Sequence, residues 1–257
     1  MRIATWNING LRARLDFLCL WLEQRQPDVV GLQELKITNE EFPTTTFEAM
    51  GYQVAVHGQK SWNGVAILSR LPIEQVETGL PGEETLGSRL IRARIADLSF
   101  TTVYVPNGKD ISHADFPLKL KWLESLTTWW ADNTRPDEQA VLCGDFNICH
   151  TPLDCWRGAS ADGTIFCTDE ERKCFDALLE TGLIDLFRRV KPQDRTFSWW
   201  DYRGGAFHRG QGLRIDLILG SPVTARRLGS VEVDRDFRKK QDGLTASDHA
   251  PVIAELV

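Results

Sequence analysis

The sequence predicts an α/β fold in which two packed sheets are covered by helices, all within one domain. Three observations point there. Strand-like and helix-like segments mix through both halves of the chain, with hairpin-spaced strands in the first. No linker, repeat, low-complexity tract or charged tail divides residues 1–257. Several apolar strands also stop abruptly at polar residues, as open α/β sheets do where chemistry sits at strand ends.

Each element has its own signal. Residues 2–6 read as a strand closed by the polar turn Asn7-Ile8-Asn9-Gly10. Leu11, Leu15, Leu18 and Leu22 then recur at helical spacing until about Gln26, where Pro27 halts the helix. Residues 28–33 form a short apolar strand that delivers Glu34, and residues 40–50 hold a short helix or loop. Residues 52–56, 64–69 and 73–78 read as successive strands, with turns at His57-Gly58 and Leu71-Pro72. Residues 90–95 alternate with arginines, so this strand is expected to have one wet face. Residues 98–105 form a strand that ends in Pro106-Asn107-Gly108. Residues 116–130 carry the strongest helical pattern, with Leu118, Trp122, Leu126 and Trp129 on one face.

The second half continues in kind. Ala140-Val141-Leu142-Cys143 is a buried strand that stops at Gly144, followed by Asp145 and Asn147 two residues apart. An irregular connection spans residues 148–167, a length usual for functional loops. Thr168-Asp169-Glu170-Glu171 opens a helix in capping-box style that runs to about Leu179. Residues 195–200 read as a strand ending in Trp199-Trp200, residues 213–219 as a strand carrying Asp216, and residues 251–256 as the last strand after Ser247-Asp248-His249.

Composition narrows the function classes. With 42% hydrophobic and 26% charged residues, the chain is an ordinary globular protein, long enough to bury about three quarters of its unfolded surface without disulfide or metal. A net charge of -6 argues against indiscriminate nucleic-acid binding, yet allows a local basic face. Residues 201–240 hold nine Lys or Arg against five Asp or Glu, and Arg89, Arg92 and Arg94 form a second basic group. The six cysteines include no C-x-x-C pair, which points to a reduced, intracellular protein. With no secretory pattern and no membrane-length apolar run, a cytoplasmic location without membrane contact is expected.

The polar strand ends carry the chemistry. Asn7, Glu34, Tyr104, Asn107, Asp145, Asn147, Asp216, Asp248 and His249 all terminate strands or occupy adjoining loops. Taken singly, Glu34 reads as a surface carboxylate, Tyr104 as a half-buried strand aromatic, and Asp145 or Asp248 as part of a turn. Brought together, their carboxylates would repel unless a cation sat among them, and oxygen ligands suit Mg²⁺ or Mn²⁺. Cation, histidine and amides together fit a site that handles a phosphate.

These residues fall in motifs: Trp6-Asn7-Ile8-Asn9-Gly10-Leu11-Arg12, Gln33-Glu34-Leu35-Lys36, His57-Gly58-Gln59-Lys60 with Gly64-Val65-Ala66, Tyr104-Val105-Pro106-Asn107-Gly108, Gly144-Asp145-Phe146-Asn147, Phe197-Ser198-Trp199-Trp200-Asp201-Tyr202-Arg203, Gly212-Leu213-Arg214-Ile215-Asp216 and Ser247-Asp248-His249-Ala250-Pro251. In this order, end to end, the chain resembles the exonuclease III family of apurinic/apyrimidinic (AP) endonucleases, within the endonuclease/exonuclease/phosphatase superfamily. The resemblance implies a four-layer α/β sandwich of the DNase I-like kind, with two mixed sheets face to face between helices. It also implies Glu34 as the main metal ligand, with Asn9 and Asp248 near the ion. Asp145 would activate or position the attacking water. Asn147 and Asn7 would bind the scissile phosphate and order the site, Tyr104 and Asn107 would contact that phosphate or its flank, and Asp216 would orient His249 toward a phosphoryl oxygen.

By the same resemblance, Trp199, Leu213 and Ile215 would form a small apolar pocket for an extruded abasic sugar. Arg89, Lys119, Arg203 and Arg214 are candidates for DNA backbone phosphates. The expected activity is Mg²⁺-dependent cleavage 5′ to abasic sites in duplex DNA, with 3′–5′ exonuclease and 3′-end trimming beside it, by a monomer acting on abasic or blocked 3′ ends. The alternatives are a phosphatase or phospholipase of the same superfamily, and a non-catalytic regulator on the same fold. The connection at residues 148–167 and the loop at 204–211 depart from the family pattern where duplex DNA would dock.

Overall fold

The computed structural model describes residues 1–135 and 137–257 of the protein. Among the described residues, one six-stranded sheet has the order β11 (Leu228–Val233), β12 (Val252–Leu256), β1 (Arg2–Asn7), β2 (Val29–Gln33), β4 (Val65–Ser69) and β3 (Gln53–His57). The other has the order β5 (Ile73–Thr78), β6 (Leu90–Ile95), β7 (Leu98–Tyr104), β8 (Ala140–Asp145), β10 (Asp216–Gly220) and β9 (Ile184–Asp185). In the first, β1 and β2 run parallel, and in the second β7 and β8 do; the other pairings are antiparallel. Helices α1 (Leu11–Arg25) and α2 (Thr44–Ala49) cover the first sheet, and α3 (Asp115–Asn133) and α4 (Asp169–Glu180) cover the second. The result is the four-layer sandwich.

Side-chain alternation builds the layers. In β1 and β2, Ile3 and Val29 face the layer between the sheets, while Ala4, Trp6, Val30 and Leu32 face α1. In β8 and β10, Val141, Cys143 and Ile218 face inward, and Leu142, Leu217 and Leu219 pack under α3 and α4. Leu186 and Phe187 of the short helix α5 (Leu186–Val190) close the inner layer at one edge, and α6 (Pro222–Arg226) follows β10. The sheets approach closely at their centre, since a Cβ on Gly31 would lie 2.5 Å from Thr102 Oγ1. There Gln33 Nε2 donates to Thr5 Oγ1 at 2.9 Å within its own sheet and to Thr102 Oγ1 at 2.7 Å in the other.

Several expectations are corrected. The strand at residues 90–95 is wet only at Arg94: Arg92 is buried, bonded to Ser99 Oγ and the Asn133 carbonyl. The buried face of α3 is Lys119, Trp122, Leu123, Leu126 and Trp130, while Leu118 is exposed. Residues 195–200 form no regular strand; Trp199 makes single bridges to Leu213 and to His249 and so spans the gap between the sheets. Asp216 begins its strand rather than lying within it. The short elements β9, β11, α5 and α6 have too little periodic pattern to stand out in sequence. The connection at 148–167 contains 3₁₀ turns at Pro152–Asp154 and Gly158–Ala161.

Candidate active site

Alternation carries the inner layer upward until apolar residues give way to polar ones. Asn7 follows Ile3 and Thr5 on the inner face of β1, Asp145 follows Val141 and Cys143 on β8, and Asp216 precedes Ile218 on β10. The parallel pairs end here, bringing Asn7, Glu34, Tyr104 and Asp145 to one rim. Their antiparallel neighbours start here, which adds Asp216 and, just before β12, Asp248 and His249. Gly144, the last β8 residue before Asp145, allows the close approach of β7: its φ is +143°, and a Cβ would lie 1.9 Å from the Val103 carbonyl oxygen.

A connected network holds these groups. Asn7 Nδ2 donates to Glu34 Oε1 at 2.8 Å and to Asp145 Oδ2 at 2.9 Å, clamping the two carboxylates. Asp145 Oδ1 accepts the Asn147 backbone N–H at 2.9 Å. Asn147 donates to the Val105 carbonyl at 3.0 Å and accepts from Asn107 Nδ2 at 3.3 Å. His249 Nδ1 lies 2.9 Å from Asp216 Oδ2, and its Nε2 lies 3.9 Å from Asp145 Oδ2. Asp216 is itself fixed by Ser198 Oγ, which donates to it at 2.6 Å and accepts its N–H at 3.0 Å. On the far rim, Asp248 accepts from Asn9 Nδ2 at 2.9 Å and from Trp199 Nε1 at 3.0 Å. Lys36 Nζ stands 2.9 Å from Glu34 Oε2 and 2.6 Å from Asn9 Oδ1.

Burial and charge set the protonation states. Burial opposes a charged His249, but the Asp216 carboxylate outweighs it and lifts the imidazole to about 10. Burial, with Asp216 and Glu34 nearby, pushes Asp145 up to about 7 against the pull of His249. Glu34 is only partly buried, and although desolvation opposes its charge, Lys36 and the Asn7 amide hold it below the usual carboxylate range. Burial and the charges of Glu34 and Asp145 keep the Tyr104 phenol protonated. The site therefore presents a cationic imidazole, a carboxylate that titrates near neutrality and neutral donors, all beside an anionic Glu34.

Residues 4–249 match the endonuclease/exonuclease/phosphatase family. The chain belongs to that family. It is 36% identical to exodeoxyribonuclease III of Haemophilus influenzae over 100% of both chains. A 3′ phosphatase from Neisseria bound to a product DNA hairpin superposes with a TM-score of 0.95 at 38% identity, over 100% of this chain and 99% of that one. An AP endonuclease from Archaeoglobus fulgidus gives 0.95 at 36% identity, with the same coverage. As a member of this family, the protein is a metal-dependent phosphodiester hydrolase of the exodeoxyribonuclease III kind. No helix among the described residues is long and apolar enough to cross a membrane.

The donor set fits a hard cation. Single oxygens of Glu34 and Asp145 and a ring nitrogen of His249 lie within 4.8 Å of one another. His249 Nδ1 is committed to Asp216 and the cationic ring keeps a proton on Nε2, which leaves carboxylate and amide oxygens as the ligands on offer, the kind a hard divalent ion takes. Asn7 clamps Glu34 to Asp145, whereas Asn9 and Asp248 bond each other and reach Glu34 through Lys36.

Two of the expected phosphate contacts are overturned by burial. Lys119 has no exposed surface; its ammonium bonds Glu171 and the Asn147 carbonyl. Burial lowers it despite Glu171. Arg214 is also buried, bonded to Asp154 at 2.6 Å and Asp185 at 2.8 Å. Both act inside the protein and cannot reach a DNA backbone. Arg89 is half-buried beside Tyr104, its guanidinium 4.9 Å from that ring, and Arg203 is exposed on a 3₁₀ turn at Arg203–Gly205. Leu213 and Ile215 pack with Trp199 as expected, and Phe166 joins them. Ser198 and Lys36 had no role from sequence, although both lie inside the motifs. Phe166 and the 70%-exposed Trp62, which lines a cavity with Arg89, Tyr104 and Asn107, carried no signal beyond being aromatic.

Proposed function

We propose that the protein is a Mg²⁺-dependent DNA-repair hydrolase that cuts duplex DNA 5′ to abasic sites and trims blocked 3′ ends. The observation that supports this reading is the meeting of a clamped Asp145 with the His249–Asp216 pair, 3.9 Å apart at the mouth of the inner layer. Asp145, raised to about 7, takes a proton from water at neutral pH, and Asn7 holds its other edge in place. His249, cationic and oriented through Nδ1, directs its Nε2–H at a phosphoryl oxygen. Tyr104 and Asn107 supply neutral donors, and Asn147 braces Asn107. Mg²⁺, with Mn²⁺ as substitute, held by Glu34 with Asp145, Asn9 and Asp248 nearby, would neutralise charge that develops on the phosphoryl oxygens.

Substrate size is set at the pocket of Trp199, Leu213 and Ile215. Leu213 and Ile215 are only 9% and 2% exposed, which favours work at 3′ ends over deep insertion of an abasic sugar. The experiment compares a duplex carrying a tetrahydrofuran abasic analogue with a nicked duplex carrying a 3′-phosphate, each with Mg²⁺ and with EDTA. Cleavage of the first and release of phosphate from the second are expected, both abolished by EDTA. Inert DNA in both arms, with turnover of inositol phosphates or sphingomyelin, would overturn the reading.

A further inference from the structure

The loop at residues 204–211, which departs from the family pattern, packs with Tyr202 against the segment at residues 235–246. Rings and guanidiniums alternate there. The Arg238 guanidinium lies 5.1 Å from the Tyr202 ring and 5.2 Å from the Phe207 ring, and that of Arg235 lies 5.4 Å from both Phe207 and Trp200. Trp200 is buried at one end of the series, whereas Tyr202 is 47% exposed at the other. A cavity of 410 Å³ opens beside Tyr202 and Phe207, lined also by His208, Arg238, Lys239 and Lys240.

The Tyr202 ring is fixed in place. Its O–H donates to the Ala246 carbonyl at 2.8 Å and accepts from Arg14 Nη2 at 3.2 Å. Arg14 also bonds the Asn9 carbonyl, and Arg238 Nε donates to the Asp248 carbonyl at 3.1 Å. The exposed ring therefore stands one side chain away from Asn9 and Asp248 at the rim of the site. Positive charge gathers here: residues 201–211 and 235–242 hold six Lys or Arg against three Asp, in a chain of net charge -6. Bracing the loop requires the buried rings, not an exposed ring over a basic cavity. A fixed aromatic face beside cations suits an unpaired nucleotide, since every base has a face to stack and every nucleotide a phosphate.

We propose that Tyr202 and the cavity beside it form a stacking site for an unpaired nucleotide of a single-stranded DNA tail adjoining the reacting end. The base lies on the exposed face of Tyr202, and Lys240 at the cavity wall meets the phosphate of that nucleotide. Arg238, behind the ring, holds the platform rigid, so little ordering is left to be done when the strand arrives. No base edge is read, and binding is independent of sequence. The inference rests on the reading of the protein as an enzyme of DNA ends, which supplies the tail, and it adds a preference for recessed or frayed ends over blunt ones.

The test is fluorescence anisotropy in EDTA with a labelled oligothymidylate of about eight nucleotides and, separately, a labelled blunt duplex. The native protein should bind the oligothymidylate. Tyr202→Leu should weaken that binding about tenfold, and Tyr202→Phe, which keeps the ring, should bind as the native protein does. Lys240→Ala should reduce the slope of log affinity against log salt on the oligothymidylate by about 0.7. No binding of the oligothymidylate by the native protein would overturn the proposal, as would an equal loss on the blunt duplex in Tyr202→Leu, or Tyr202→Phe behaving like Tyr202→Leu. Thermal melting checks the fold of each variant. If Tyr202→Leu does not fold, the exposed Lys240 decides, and an unchanged slope in Lys240→Ala overturns the proposal. Since no cleavage is measured, inert DNA in the activity assay would overturn the proposed reaction alone, and lost single-strand binding would overturn this inference alone.

Discussion

Asp145 and Asp216 are register partners, one closing β8 and the other opening the antiparallel β10. Two carboxylates so placed would repel, and His249 resolves this by bonding one and lying close to the other. Each acid thus has a different environment, and their roles diverge accordingly.

The pair sets the protonation of His249. Asp216→Asn removes the charge that lifts the imidazole, so its pKa should fall from about 10 toward or below the ordinary value, since burial then dominates. NMR titration of the His249 ring reads this directly. The phosphodiesterase rate near neutral pH should drop about a hundredfold. For stability the sign is that of a raised histidine: the pair's contribution is complete below pH 6.5 and disappears as pH rises through about 10. An unchanged titration in the variant would remove Asp216 from this role.

Asp145→Asn keeps the shape and removes the base. The rate on any DNA substrate should fall about 10²–10⁴-fold. Binding to a duplex in EDTA, followed by fluorescence anisotropy, should change little or tighten, because a negative charge is lost near phosphate. Retained full activity would place the base elsewhere.

Gly144 tests how closely β8 must approach β7. In Gly144→Ala the new Cβ would meet the Val103 carbonyl at 1.9 Å in a φ region hostile to side chains. A loss of about 3 kcal/mol or more in chemical denaturation is expected. A near-native midpoint would show that β8 can shift, which the parallel pairing with β7 argues against.

Lys119 and Arg203 separate interior from surface. Lys119→Met removes the buried cation that Glu171 faces and leaves it only the Thr168 hydrogen bonds, so stability should fall by about 3–5 kcal/mol, while the salt dependence of DNA binding stays the same. Arg203→Ala should leave melting unchanged and reduce the slope of log affinity against log salt by about 1. The reverse pattern would restore Lys119 as a DNA contact.

Much of this was legible in the sequence, for a physical reason. Asn7, Glu34 and Asp145 follow strands with strong apolar patterns, and a strand end fixes where its last side chain points. His249 was placed just before the last strand, where it lies, but Asp216 was read inside its strand rather than at its start, because antiparallel pairing depends on partners distant in sequence. Lys119 and Arg214 were misread because charge on a helix or near a strand end signals solvent unless a buried partner is known. Their partners, Glu171, Asp154 and Asp185, lie 29 to 60 residues away. Lys36 and Ser198 were visible within motifs, yet only the folded chain brings them to bond Glu34 and Asp216.

The seam at Gly31, Thr102 and Gln33 governs more than packing. Asn7, Glu34, Asp248 and His249 ride on one sheet and its loops, while Tyr104, Asp145, Asn147 and Asp216 ride on the other. The spacing between the two halves of the catalytic apparatus is therefore a thickness, and Gly31 against Thr102 acts as its shim. Substitutions deep in that seam could retune turnover without altering any group that meets DNA, which makes the middle of the protein a dial for its mouth.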